Sequence, residues 1–192
     1  MKKKKDSVSI SMQMIASHSC LLIVDVQERL TPVTHEPRKV IVGLCHLDAG
    51  GRALTDVPIV VSEQYTRGLG PTMVDLLSLA PPDSFIEKTV FGCAADAAIM
   101  ARLERLNWRQ VVIAGVETHV CALQSALGLK EKGFYVFVVV EACSARRPES
   151  EQVACARLAM AGVAVVTIEM VLFEWLGGKD HPAFKDVQRL IQ

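Results

Sequence analysis

The hydrophobic positions fall into two alternating kinds of segment. Short, near-continuous apolar runs rich in β-branched residues read as buried strands: Cys20-Leu21-Leu22-Ile23-Val24 closing on Asp25, Pro58-Ile59-Val60-Val61-Ser62, Ser84-Phe85-Ile86-Glu87 closing on Lys88, the run from Gln110 closing on Gly115, Phe134 to Val140, and Val163 to Ile168. Between them, helical spacing covers about Arg38 to Leu54, a short piece near Met73 to Leu79, about Ala94 to Leu106, Thr118 to about Lys132, and Glu149 to Ala161. Gly133 and Gly162 stand where helices should stop, and Glu169 to Gln192 reads as two short helical pieces around Gly177-Gly178. Strand alternating with helix along the chain predicts an α/β fold of three layers, a Rossmann-like parallel sheet with helices on both faces. Neither an internal repeat nor a second domain is legible. We expect one domain over residues 18–192, preceded by a flexible lysine-rich tail over 1–17.

In such sheets the ligand crevice lies outside the carboxyl ends of the strands, near the point where strand order reverses. Asp25, Lys88 and Cys121 all sit at those ends. Cys121 falls in the first turn of a helix that follows directly on a strand, with Thr118 placed to cap that turn. Unpaired N–H groups and the positive end of the helix dipole favour a thiolate there. An acid close to the sulfur can take the thiol proton and later hand it to a leaving nitrogen. Lys88 is expected to hold that acid ionised and to draw the thiol pKa down. The N–H groups of Glu117 and of Cys121 itself are candidates for an oxyanion hole.

Composition narrows the function. The chain has 192 residues, 51% hydrophobic, with 21 basic and 21 acidic side chains and a formal net charge of zero, so no general affinity for nucleic acid is expected. The cysteines at 20, 45, 93, 121, 143 and 155 contain no Cys-x-x-Cys pair, which suggests free thiols in a reducing compartment rather than a disulfide framework or a zinc site. A cytoplasmic location is expected. The Met1-Lys2-Lys3-Lys4-Lys5 start, followed by an acid-poor, Ser-rich stretch, leaves a mitochondrial targeting segment as the alternative. No apolar run has the length of a membrane span.

Three motifs occur in order: Asp25-Val26-Gln27 after the first strand, Glu87-Lys88-x-x-Phe91 after the third, and Gly115-Val116-x-Thr118-x-x-Cys121 after the fourth. Together they resemble the isochorismatase-like cysteine hydrolase superfamily, over most of the chain from Cys20 to about Ile168. The resemblance implies a six-stranded parallel sheet of isochorismatase-like topology and a triad of Asp25, Lys88 and Cys121. It further implies a cis peptide between Val116 and Glu117 that presents the Glu117 N–H to the oxyanion, and assembly into a dimer or larger homo-oligomer. Nicotinamidases of the superfamily carry an Asp-x-His metal motif after the second strand. Here that loop reads Ser62-Glu63-Gln64-Tyr65-Thr66-Arg67-Gly68-Leu69-Gly70-Pro71, without a ligand histidine, so neither zinc nor another cofactor is expected. Siderophore-pathway isochorismatases lack the cysteine, and Cys121 argues against their activity. The Gln-Tyr-x-x-Gly-Leu-Gly loop is closer to isochorismatase-domain-containing proteins, some trypanosomatid members of which carry a mitochondrion-associated ribonuclease label.

The expected pocket wall comprises Gln27, Gln64, Tyr65, Phe91, Thr118 and His119. His119 is read as a wall residue and not as a base, because residues two apart on a helix do not face one another. Cys93, which starts the helix after Lys88, reads as packing. The expectation is a metal-independent hydrolase that cleaves a small amide-like or carbamoyl C–N bond through a thioester at Cys121. A nuclease and a non-catalytic scaffold on the same fold are the alternatives.

Overall fold

A computed structural model describes residues 13–55 and 57–191. Six parallel strands, β1 (Ser19–Val24), β2 (Ile59–Gln64), β3 (Phe85–Lys88), β4 (Gln110–Val116), β5 (Tyr135–Ser144) and β6 (Ala164–Val166), lie in the order β3-β2-β1-β4-β5-β6. The helices are α1 (Pro37–Leu54), α2 (Thr66–Leu69), α3 (Ala97–Arg105), α4 (Leu123–Glu131), α5 (Pro148–Met160), α6 (Ile168–Leu176) and α7 (Phe184–Leu190). This is the three-layer α/β arrangement that the alternation predicts.

Every residue of β1 and β4 is buried, as central parallel strands require. Because side chains alternate across a strand, Leu21 and Ile23 join one core with Leu44 and Leu47 of α1 and Leu172 and Trp175 of α6. Leu22 and Val24 join a second core with Ile99 and Leu103 of α3, Leu129 of α4 and Leu158 of α5. Strand order reverses between β1 and β4, so the loops leaving these two neighbours diverge and open a crevice. The backbones come close there. A Cβ on Gly115 would lie 2.2 Å from the Val24 carbonyl oxygen, and its φ of +127° is one that side chains rarely adopt.

Several boundaries differ from expectation: the helix expected near Met73 to Leu79 is a single 3-10 turn over Val74–Leu76, and the last strand stops at Val166, with Ile168 opening α6. β5 runs on past Val140 to Ser144, since the small residues Ala142, Cys143 and Ser144 continue the ladder after a register shift and pair Cys143 with Gly115. Residues 14–17, which are expected in the tail, are packed onto the domain: Met14 is buried, its N–H donates to Glu174, and Gln110 accepts from the Ile15 N–H. The lysine-rich start lies outside the described residues. No helix among the described residues is long and apolar enough to cross a membrane.

Candidate active site

Asp25 is the first residue beyond β1 and has φ +53°, a left-handed conformation that Asp tolerates better than most residues. Its N–H donates to the Ser62 carbonyl (3.0 Å) and its side chain is fully buried. Lys88, the last residue of β3, reaches across β2 to place Nζ 2.7 Å from Asp25 Oδ2. The Ser62 hydroxyl, from β2 between them, donates to Oδ1 at 2.7 Å. Three neighbouring strands thus build one charged cluster at the carboxyl edge of the sheet.

The ammonium is held by more than its counter-ion. Nζ also donates to Gln64 Oε1 (2.6 Å) and to the carbonyls of Val90 (3.2 Å) and Phe91 (3.0 Å). With four acceptors around it, Lys88 serves as a fixed positive charge. The thiol of Cys121 lies near enough to the Asp25 carboxyl for each group to shift the other's acidity. Cys121 sits in a wide π-type turn, Thr118–Ala122, between β4 and α4, and the Val116–Glu117 peptide bond before it is cis.

The electrostatics overturn one expectation. Burial pushes the Cys121 thiol well above its ordinary range, and the neighbouring Asp25 charge pushes the same way, against the opposing pull of Lys88. The resting sulfur is therefore a thiol and not the thiolate expected from a helix terminus. Burial also raises Asp25 above the usual carboxylate value, opposed first by the Lys88 charge, then by the hydrogen bonds from Lys88 and Ser62, and last by the nearby Cys121 thiol. A buried carboxyl shifted upward is a stronger proton acceptor than an exposed one. Cys93 shares the apolar cluster of Cys121; its charge would raise the Cys121 thiol further, and Cys93 is itself raised by burial first and by Asp25 second.

The expected pocket wall divides. Gln27 is fully buried and does not face a ligand: its amide donates to the Gln64 and Gly70 carbonyls (3.0 and 2.6 Å) and accepts from the Gln64 N–H (2.7 Å), stapling two loops together. Gln64 likewise has its side-chain oxygen on Lys88 and its amide nitrogen on the Thr89 carbonyl (2.9 Å). Tyr65 and Phe91, 51% and 54% exposed, lie at the surface. Thr118 does not cap the turn; it is buried with its hydroxyl unpartnered, because the π-type turn satisfies the Val120 and Ala122 N–H groups through the Glu117 carbonyl instead. His119 lines a cavity of about 360 Å³ against α5, with Leu123 and Val153, and its Nδ1 has no partner.

Sequence reasoning missed Ser62 and Arg146. Ser62 ends an apolar run and reads only as a strand terminus. Arg146, on the loop between β5 and α5, makes a two-point contact with the Glu117 carboxylate through Nε to Oε1 and Nη2 to Oε2 (2.9 Å). Glu117 is 5% exposed at its side chain and Arg146 61%. Among the described residues, one grouping converges as metal ligands do: the ligand atoms of His35, Glu36 and Glu151 lie within 4.8 Å of one another. The Lys39 ammonium already bridges its carboxylates, at 3.0 Å from Glu36 and 2.8 Å from Glu151. It is separate from the Asp25–Cys121 cluster.

A family model described as the isochorismatase domain matches residues 19–170. The chain belongs to the isochorismatase domain family. It carries the family's hydrolase-type fold. An isochorismatase domain-containing protein 1 of Salmo salar is 36% identical over 185 residues, covering 96% of this chain, which spans 65% of that relative's length. A Caenorhabditis elegans structure described as MAR1 ribonuclease superposes with a TM-score of 0.85 at 31% identity, over 93% of this chain and 92% of that one. The YcaC gene product of Escherichia coli, described as an octameric hydrolase of unknown specificity, shares the fold with a TM-score of 0.80 at 23% identity, over 95% and 96% of the two chains.

Proposed function

We propose that the protein is a cysteine hydrolase that cleaves a small amide-like or carbamoyl C–N bond through a thioester at Cys121. Asp25 takes the thiol proton as the sulfur attacks the carbonyl carbon, and the N–H groups of Glu117 and Cys121 hold the oxyanion. Each such donor typically contributes about 3 kcal/mol of barrier lowering. Collapse breaks the C–N bond, and Asp25 passes the proton to the departing nitrogen. Water, deprotonated by the same carboxylate, then attacks the thioester, and the thiol leaves reprotonated. Lys88 steadies Asp25 throughout, and no step in this chemistry requires a metal.

The observation carrying this reading is the buried contact of one carboxyl with an ammonium and a hydroxyl where β1 and β4 part, with the Cys121 thiol close enough to feel its charge. A proton acceptor raised by burial beside a thiol raised by burial favours transfer in concert with attack over a preformed thiolate. The test is a screen of small amides, ureas and carbamoyl compounds against wild type and Cys121→Ala. Turnover should fall by about a thousandfold or more in the variant, and full retention of turnover would remove the mechanism.

The description of the Caenorhabditis elegans neighbour favours ribonuclease activity as a second reading. A formal net charge of zero gives it little support. RNA cleavage that survives Cys121→Ala would establish it. The octameric description of the YcaC neighbour supports a homo-oligomer, which a solution mass measurement would reveal.

A further inference from the structure

The Glu117–Arg146 pair has no part in the proton transfers above, yet it is attached to the segment that supplies the candidate oxyanion donors. Glu117 is held at its main chain, where its carbonyl accepts from the Val120 and Ala122 N–H groups at 3.0 and 3.2 Å. Its side chain, 5% exposed, has the fork of Arg146 as its partner. The base of Arg146 is itself fixed. The carbonyl of the preceding Ala145 accepts from His35 N–H and His35 Nδ1 (both 2.9 Å), and the Ala145 N–H donates to Glu151 (3.2 Å). A rigid loop therefore grips a nearly buried carboxylate one residue beyond the end of β4.

An exposed ion pair normally contributes little, but this one is lopsided. Without the arginine, a desolvated negative charge would remain within the residue whose N–H is to hold an oxyanion. That charge would both oppose the developing anion and drive the side chain outward, turning the peptide with it.

We propose that Arg146 is the positioning residue of the oxyanion hole, fixing the Glu117 peptide and cancelling the Glu117 charge beside the reacting carbonyl. This rests on the cysteine-hydrolase reading, and the experiment separates the two. Propionaldehyde adds reversibly to a thiol, forming a C–S bond while its oxygen takes up negative charge and then a proton, so its affinity reports the oxyanion hole. Iodoacetamide alkylation, in which sulfur displaces iodide, reports the sulfur and Asp25 alone. Protection of Cys121 from iodoacetamide by propionaldehyde is measured by peptide mass spectrometry on the full chain.

Arg146→Gln should raise the half-protecting aldehyde concentration by about tenfold to a hundredfold while alkylation without aldehyde stays within about twofold of wild type. Arg146→Lys, which keeps the charge and loses the fork, should fall between the two and keeps the test open if the glutamine variant folds poorly. Glu117→Gln/Arg146→Gln should recover most of the loss, since no charge is left to cancel. Unchanged aldehyde protection in Arg146→Gln, or alkylation falling in parallel with it, would overturn the positioning role alone. A wild-type Cys121 that aldehyde does not protect at all would overturn the hydrolase reading and this role with it.

Discussion

Replacing Lys88 with methionine removes the only counter-charge touching Asp25 among the described residues and keeps most of the side-chain volume. Both partners are fully buried, so the lost attraction is not screened by solvent. Breaking one side of a buried pair costs about 3–5 kcal/mol, because the remaining charge is left in a medium that solvates it poorly. The variant also strips a donor from Gln64 Oε1 and from the Val90 and Phe91 carbonyls. Taking about 4 kcal/mol as the sum, and roughly 2–4 °C per kcal/mol for a chain of this size, the melting temperature should drop by roughly 8–16 °C at pH 7. Urea unfolding followed by fluorescence of Trp108 and Trp175 measures the same loss as free energy. The dependence on pH has a definite sign. Asp25 already has a raised pKa, and removing Lys88 takes away its largest lowering influence, so the folded value climbs further. A carboxyl raised in the folded state loses stability as pH rises through that folded value. The gap to wild type should therefore be widest at neutral pH and narrowest near pH 4, where protonation removes the unpaired charge. Asp25→Asn/Lys88→Met should recover much of the neutral-pH loss. A single-variant loss below about 1 kcal/mol, or a gap that does not change with pH, would refute the reasoning.

The pH profile of iodoacetamide alkylation at Cys121 should show an acid limb with its midpoint above the ordinary carboxyl value of 3.8, since Asp25 must be ionised to accept the thiol proton and burial raises it; Asp25→Asn should abolish that limb and slow alkylation at neutral pH. Gly115→Ala forces a Cβ to 2.2 Å from the Val24 oxygen at φ +127° and should cost about 3 kcal/mol or more in thermal unfolding. Gly133→Ala, at φ +85° with nothing within 4 Å, should cost about 1–2 kcal/mol. Gln27→Ala loses three hydrogen bonds, two of them fully buried, which at about 0.5–1.5 kcal/mol each predicts a loss of roughly 1.5–4.5 kcal/mol. Proteolysis of that variant should concentrate between residues 64 and 71.

The sheet was legible because a parallel strand buried on both faces must be apolar almost throughout, and the β1, β2 and β4 segments declare this by composition alone. Asp25, Lys88 and Cys121 were legible because strand ends in such a sheet share one edge. What the sequence could not carry was the allocation of polar partners. Gln27 and Gln64 look like ligand contacts, yet their amides are committed to each other's loops and to Lys88, which residue type alone does not announce. Thr118 obeys the composition rule for a cap, but a π-type turn moves the acceptor role to the Glu117 carbonyl. The upward shift of the Cys121 thiol is not legible from helix position, because burial of the residue, 4% exposed, is the largest influence on it. Arg146 lay past the apparent end of a strand whose last residues are small and unremarkable in composition.

The Lys88 ammonium hangs partly from the carbonyl of Phe91, a residue whose side chain is largely exposed. An exposed surface loop and the buried charge therefore share one piece of backbone. Drift of that loop would shift the field acting on the base at the same time, so descendants that remodel this surface should also change the acidity at which they work.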